Sequence, residues 1–516
     1  MTNKKSILFL VISLSLLSFL LIFSYITYLG KNSQVRVALS SFPETFDAMT
    51  RAEYFTNLVN DEIYSTLFDV NGDKFYGLIG QSWQNLSDSL MVIHLKRDMY
   101  FHNGDPITAT DVKASLERAL TFPKSLIKNL VEVDSINIID PYTLEIYHPN
   151  TLEIYRLLLS VKIYSYKHIQ FSNEDFQKNQ LICSGLYYLY SANDNLIVLK
   201  RNPYWKIKED DLFKEVKLYR IPDKDKQTNQ LLNGELDFII NPPFERFSVI
   251  ENRSDLLIIG KKSNVSMYMM MDIMNEKRPG MPQQRNPFKD KRVRQAIWHA
   301  LDMQTFIKER LNNYGETLTY PWLNSISGVN SLLKPYKYDT QKSKELLKEA
   351  GYESGFPLKI YCVENKYNGD VELGEYVKTA LYQIGIKAEV YFLPTEKFYD
   401  YIENNPVSCY IAGYSSTSDT PDGPLYSLTY KSIRVKGNLN RLNIEIPYLN
   451  NLIDSAKKLP NTDNAKFQIN QIASQYMYDE ALIIPLYAPT DNFALNRKVK
   501  WHPVNKEFKL SHLKRK

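Results

Sequence analysis

From Ser6 to Gly30 the chain carries no charged residue, and Lys4 and Lys5 stand just before that run. A helix of about 23 residues rises roughly 35 Å, enough to cross the hydrocarbon core of a bilayer. A secretory hydrophobic region is shorter, about 7–15 residues, and ends in a small-x-small cleavage site. Here the exit reads Ser24-Tyr25-Ile26-Thr27-Tyr28-Leu29-Gly30-Lys31, with bulky residues where small ones belong. No cysteine lies near the run, which excludes a bacterial lipoprotein anchor. The two lysines hold the N-terminus in the cytoplasm. Residues 1–31 are therefore expected to be an uncleaved signal anchor in the inner membrane, with a cleavable signal peptide as the alternative. Either way, the rest of the chain is expected to be periplasmic or otherwise extracytoplasmic.

At 516 residues the chain is too long for one hydrophobic core, so two or three structural units are expected. Apolar residues at 44% and charged residues at 23% are ordinary for a folded protein, so no long disordered stretch is expected. The net charge of +5 arises from 63 basic and 58 acidic residues. No basic block with interleaved aromatics precedes Lys514-Arg515-Lys516, so nucleic acid is not an expected partner. Tyrosine is unusually frequent, 37 against 24 phenylalanines, which suits half-wet clefts and equally well suits exposed strands. Cys183, Cys362 and Cys409 are far apart, with no CxxC, and are read as three buried thiols.

Strands are expected at Val35–Leu39, Leu90–Leu95, Lys359–Val363, Lys387–Phe392 and Leu482–Tyr487 from their apolar alternation and β-branched content. Helical spacing follows Thr108, whose Asp111 partner three residues on resembles a capping box. Further helices are expected from Asp290 through Phe306, at Ser343–Ala350 before Gly351, at Val371–Ile384 and at Ala465–Met477. Strands that alternate with helices in this way make the class α/β. No GxSxG elbow, phosphate-binding glycine loop or GxGxxG follows a strand, and none of the seven histidines is paired at i, i+4. His94 and His102 are read as a surface pair beside a strand end, not a metal site. No enzyme, metal or cofactor is expected.

One stretch is specific. Leu78, Ser82-Trp83, Asp88, Leu95-Lys96, Phe101-His102-Asn103-Gly104, Pro106, Thr108-Ala109, Asp111 and Val112 follow one another in an order and spacing that resembles the oligopeptide- and dipeptide-binding family of ABC-importer solute receptors, family 5. The resemblance continues through Ser184-Gly185-Leu186-Tyr187, Arg201-Asn202-Pro203-Tyr204-Trp205, Asn286-Pro287-Phe288, Arg292-Val293-Arg294-Gln295-Ala296, Ala350-Gly351-Tyr352, Gly413-Tyr414, Pro421-Asp422 and Pro485-Leu486-Tyr487.

The resemblance implies a bilobal fold of the periplasmic-binding-protein type, class II, with a subdomain inserted in lobe one. Lobe one would comprise 32–61, 181–265 and 488–516, with the insertion at 62–180 and lobe two at 266–487. The implied function is capture of short peptides between two closing lobes and delivery to the permease and ATPase subunits of an importer. The receptor would act as a monomer. The same fold binding a nickel chelate, haem or a sugar is the alternative, and an anchored sensor or enzyme is a rival from a different class.

The family places Glu53-Tyr54-Phe55 and the segment after Gly413-Tyr414 against the ligand backbone. An Asp soon after that Gly-aromatic pair receives the ligand's α-ammonium. Asp419 is the best match, Asp422 is its rival, and either also suits a turn in Ser418-Asp419-Thr420-Pro421-Asp422-Gly423. Tyr268 and Tyr414 are read either as lining the cleft or as core. No basic residue lies between Val407 and Ser418, so Lys366 and Lys397 are the remaining receivers for a ligand carboxylate.

Overall fold

The computed structural model describes residues 33–43, 45–49, 54–71, 74–122, 125, 131–149, 151–169, 181–207, 211–364, 366–415, 420–430, 439–459, 463–501 and 508–516. The signal-anchor run lies outside the described residues. Among them, no helix is long and apolar enough to cross a membrane. The chain folds as two compact units, Met1–Ile259 with Phe493–Lys516, and Gly260–Asn492.

In the first unit, strand Gln34–Leu39 pairs in parallel with Glu215–Arg220 on one side and Phe238–Ile240 on the other. Its Val35, Val37, Ala38 and Leu39 are almost fully buried, as expected of a central strand covered on both faces. Antiparallel strands Leu196–Arg201 and Tyr187–Ala192 extend the sheet, and Phe493–Leu495 closes on Phe238–Ile240 from the other end of the chain. A separate antiparallel sheet runs in the order Gly80–Ser87, Leu90–Leu95, Thr143–Tyr147, Ser135–Asp140. Helix Ala109–Thr121 packs on it and starts where Asp111 accepts both the Thr108 N–H at 2.9 Å and its hydroxyl at 2.8 Å.

The recognisable sequence blocks meet here as braces. Gly185 donates to the carbonyl of Ile63, and a Cβ on it would stand 2.3 Å from the carbonyl oxygen of Glu62, so only glycine lets that backbone approach. Buried Asn202 donates to the Gly185 carbonyl at 3.1 Å. His102 does not pair with His94: its ring Nδ1 accepts from the Cys183 N–H at 3.0 Å, and the ring stacks on Tyr188. All three cysteines are unpaired and buried.

The second unit is built on a five-stranded sheet in the order Lys387–Pro394, Pro357–Glu364, Cys409–Ser415, Val265–Met271, Ile483–Pro485. The first three are mutually parallel, and the last two alternate in direction. Helix Asp370–Gln383 is the crossover between the two outer parallel strands and packs on both. The helix expected from Asp290 to Phe306 is two helices, Lys291–His299 and Met303–Arg310. Asp302 separates them, because its carboxylate accepts the Thr305 N–H at 3.0 Å and hydroxyl at 2.7 Å and so starts a new helix.

One buried ion pair ties helix Ala109–Thr121 to the segment that precedes Tyr54. Asp47 is fully buried and takes both Arg118 guanidinium nitrogens, at 2.9 and 2.6 Å, with the Tyr164 hydroxyl at 3.2 Å. Replacing Arg118 with Leu strands this carboxylate without its cation and is expected to cost ~3–5 kcal/mol in urea unfolding. A loss below about 1 kcal/mol, the value of a surface pair, would show that solvent reaches Asp47.

Candidate functional site

In an open α/β sheet, ligands sit outside the carboxyl ends of parallel strands, because the loops leaving those ends converge there. In the second unit the register fixes which loops these are. Glu364 pairs with Pro394, and Cys362 with Ile411, so the strands ending at Glu364, Pro394 and Ser415 run out at one edge. Strand Val265–Met271 runs the opposite way and begins there, Val265 opposite Ser415.

The first loop carries Lys366 and Tyr367, and helix Thr395–Asn404, which leaves the second strand, carries Tyr399. The Lys366 ammonium donates to the Tyr399 hydroxyl at 3.1 Å and lies 4.7 Å from the Tyr399 ring centre and 5.3 Å from that of Tyr367. Among the described residues, no carboxylate forms an ion pair with it. The Arg441 guanidinium lies over the same Tyr399 ring at 4.5 Å and pairs with Glu403. Burial works against a Tyr399 anion, yet the Lys366 charge, hydrogen bonds from Tyr367 and Lys366, and Arg441 together carry its phenol below the ordinary tyrosine value. The edge is thus a cationic, hydroxyl-bearing aromatic floor. Lys397 is exposed on the same helix, Thr395–Asn404.

The anticipated residues fall in different settings. Tyr268 and Tyr414 are core residues, 2% and 6% exposed, in one cluster with Met270, Tyr410, Ala412 and Trp322. Burial pushes the Tyr268 phenol well above its ordinary value, which keeps it neutral. Asp422 opens helix Asp422–Thr429 and stands 3.2 Å from the Lys466 ammonium, both side chains nearly buried, with Asn470 beside it. Its charge is therefore already compensated within the fold. Asp419 and Glu53 lie outside the described residues. In the first unit, Tyr54 begins helix Tyr54–Ile63 and is 44% exposed, its ring edge-on to half-buried Phe55 at 5.1 Å.

Sequence reasoning missed Tyr367, Tyr399 and Arg441. The signal for the first two was present: once Lys359–Val363 and Lys387–Phe392 are read as parallel strands, the residues just after them are the positions to inspect.

The family model described as bacterial extracellular solute-binding proteins, family 5 Middle, matches residues 74–434. The chain belongs to this family. It is a solute-binding protein that works outside the cytoplasm. Among curated relatives, the glutathione-binding protein GsiB of Pectobacterium atrosepticum is 25% identical over 449 residues, 84% of each chain. Two solved structures share the fold. One is the periplasmic binding protein DppA of Helicobacter pylori in complex with the peptide STSA (TM-score 0.78, 18% identity, 93% of this chain and 98% of that one). The other is NikZ of Campylobacter jejuni in complex with Ni(L-His) (TM-score 0.77, 20% identity, 93% and 97%).

The Gly413-Tyr414 pair has a steric reason. A Cβ on Gly413 would lie 2.5 Å from the Tyr367 ring and 2.8 Å from Val265. Gly413→Ala is expected to destabilise the second unit by ~1–3 kcal/mol through this overpacking, read as a lowered thermal midpoint. Trimming Tyr367 to Leu in the same chain is expected to recover most of the loss. If it recovers none, the ring is not what occupies the space.

Proposed function

We propose that this chain is the receptor of an ABC importer for short peptides and passes its ligand to the permease and ATPase subunits. It acts as a monomer tethered to the inner membrane by Ser6–Gly30. The observation that carries the peptide reading is Lys366: a cation on a tyrosine floor at the carboxyl edge of three parallel strands, with no carboxylate paired to it among the described residues. A half-buried ammonium in that position is suited to a ligand carboxylate, with the Tyr399 hydroxyl as a second donor.

Asp419, which comes after strand Cys409–Ser415 in the sequence, is assigned the opposite end, the ligand's α-ammonium. Asp422 supports this choice by its engagement with Lys466. Tyr414 and Tyr268 form the wall behind the site, and Glu53-Tyr54-Phe55 are assigned to the ligand as a further binding segment. A carboxylate receiver and an ammonium receiver on loops of one sheet suit a zwitterion of limited length. The glutathione relative and the peptide-bound neighbour fit this reading. The nickel–histidine neighbour favours the alternative of a metal chelate, whose amino acid also brings a carboxylate.

The test is mass spectrometry of small molecules released by denaturing purified protein, followed by calorimetric binding of any peptide found. Wild type is expected to release short peptides, and Asp419→Ala to release few. Lys366→Met is expected to weaken binding by about tenfold or more, the value of one charge-assisted hydrogen bond. A C-terminally amidated peptide is expected to bind both proteins equally weakly. A metal chelate, haem or sugar in place of peptides would sink the peptide reading, and equal Lys366→Met losses for free and amidated peptide would remove Lys366 from the carboxylate.

A further inference from the structure

In the first unit, the turn from Phe101 to Asp105 is closed by its own bonds. The Phe101 N–H donates to the Asp105 carbonyl at 2.9 Å, and the Gly104 N–H donates to that of Phe101 at 3.0 Å. Two further bonds join the turn to Cys183, 81 positions along the chain. The His102 N–H donates to the Cys183 carbonyl at 3.0 Å, and the Cys183 N–H donates to the His102 ring at Nδ1, also at 3.0 Å. That second bond fixes the tautomer: Nδ1 offers its lone pair, and the ring's single proton sits on Nε2. The bond therefore exists only for the neutral ring. The same ring lies flat on Tyr188, with centres 4.7 Å and planes 12° apart.

No neighbouring charge favours a cation at this position. The turn's own carboxylate, Asp105, accepts from Asn103 at 3.2 Å and pairs with Lys167 at 3.3 Å, and His168 acts on it from the same side. Strand Tyr187–Ala192 adds the Tyr188 phenol, and opposite it on strand Leu196–Arg201 stands Lys200, itself a cation. Tyr100 and Tyr204 flank the turn, ring centres 6.2 Å apart, and the Cys183 thiol is buried and uncharged. Among the described residues, no carboxylate forms an ion pair with His102.

A proton on Nδ1 sets one N–H against another. Cys183 is fully buried, so its N–H loses its acceptor in a place that water does not reach. The residues that follow carry the effect onward. The Ser184 hydroxyl donates to the Ile163 carbonyl at 2.6 Å and accepts the Ser65 N–H at 3.0 Å, and Gly185 donates to Ile63. The end of helix Tyr54–Ile63 thus rests on the segment that His102 holds.

We propose that His102 is an acid-released clasp, which holds the Phe101–Asp105 turn to Cys183 while its ring is neutral and lets go when Nδ1 takes a proton. Burial keeps the closed ring below its ordinary value of 6.5, in agreement with the neutral tautomer. The open turn therefore binds the proton more readily than the closed one. The clasp is fully favoured above about pH 7 and loses its contribution progressively as pH falls below about 6.5. A receptor outside the cytoplasm meets the pH of its medium, and this device stands whatever the ligand proves to be.

The experiment is residue-level hydrogen exchange on the full chain from about pH 7.5 down to about 5, corrected for the intrinsic pH dependence of exchange. Protection of the His102 and Cys183 amides is expected to fall by about tenfold across that range, while strand Gln34–Leu39 stays constant. His102→Asn keeps an acceptor near the position of Nδ1 but cannot titrate, so its profile is expected to be flat. His168→Gln, which removes the other imidazole near the turn, is expected to fall as wild type does. Wild-type protection that is constant, or that rises in acid, would overturn the proposal before any variant is made. So would a slope that survives His102→Asn, or one that vanishes in His168→Gln.

Discussion

The parallel register of strands Pro357–Glu364, Lys387–Pro394 and Cys409–Ser415 is the constraint from which the second unit's chemistry follows. Parallel strands cannot be joined by a tight turn, so helix Asp370–Gln383 must cross between two of them. Every loop leaving a carboxyl end then emerges at one edge. Residues 366 and 399, far apart along the chain, are led to that edge by pairing alone. The side chains need only supply charge and hydroxyls, and the core behind them, with Tyr268, Tyr410 and Tyr414 almost dry, supplies rigidity.

Tyrosine abundance has a physical reading in this arrangement. Tyr268 and Tyr410 behave as phenylalanines with a polar tip, buried and kept neutral. Tyr399 behaves oppositely, because two cations and two hydrogen bonds outweigh its burial. The same residue type thus serves as filler in one layer and as polar floor in the next, and position relative to Lys366 and Arg441 decides which. Phenylalanine at 399 would keep the ring beneath both cations but remove the oxygen that Lys366 bonds.

The sequence made the α/β class and the strand positions legible, because apolar alternation and capping residues are local signals. Thr108 with Asp111, and Gly351 after Thr340–Glu349, were read from a few residues and occur as read. The break at Ala300–Asp302 was hidden, since Val293, Ile297, Leu301 and Phe306 keep helical spacing across it and only the Asp302 side chain restarts the helix. The site was harder for a similar reason. Arg441 reaches Tyr399 from 42 positions away, a distance that no periodicity encodes. Lys466 likewise engages Asp422 from a different helix, which a local turn signature could not reveal.

Maturation after export is shaped by the cysteines. Cys183 in the first unit, and Cys362 and Cys409 in the second, are unpaired and shielded, and burial pushes the Cys183 thiol up to about 12 and the other two far above their ordinary value. A thiol held in that state offers almost no thiolate, the species that oxidants and disulfide exchange require. The native fold is therefore indifferent to redox poise. It needs no oxidising catalyst to mature after export, and its risk of wrong cross-linking is confined to the interval between translocation and collapse of each sheet.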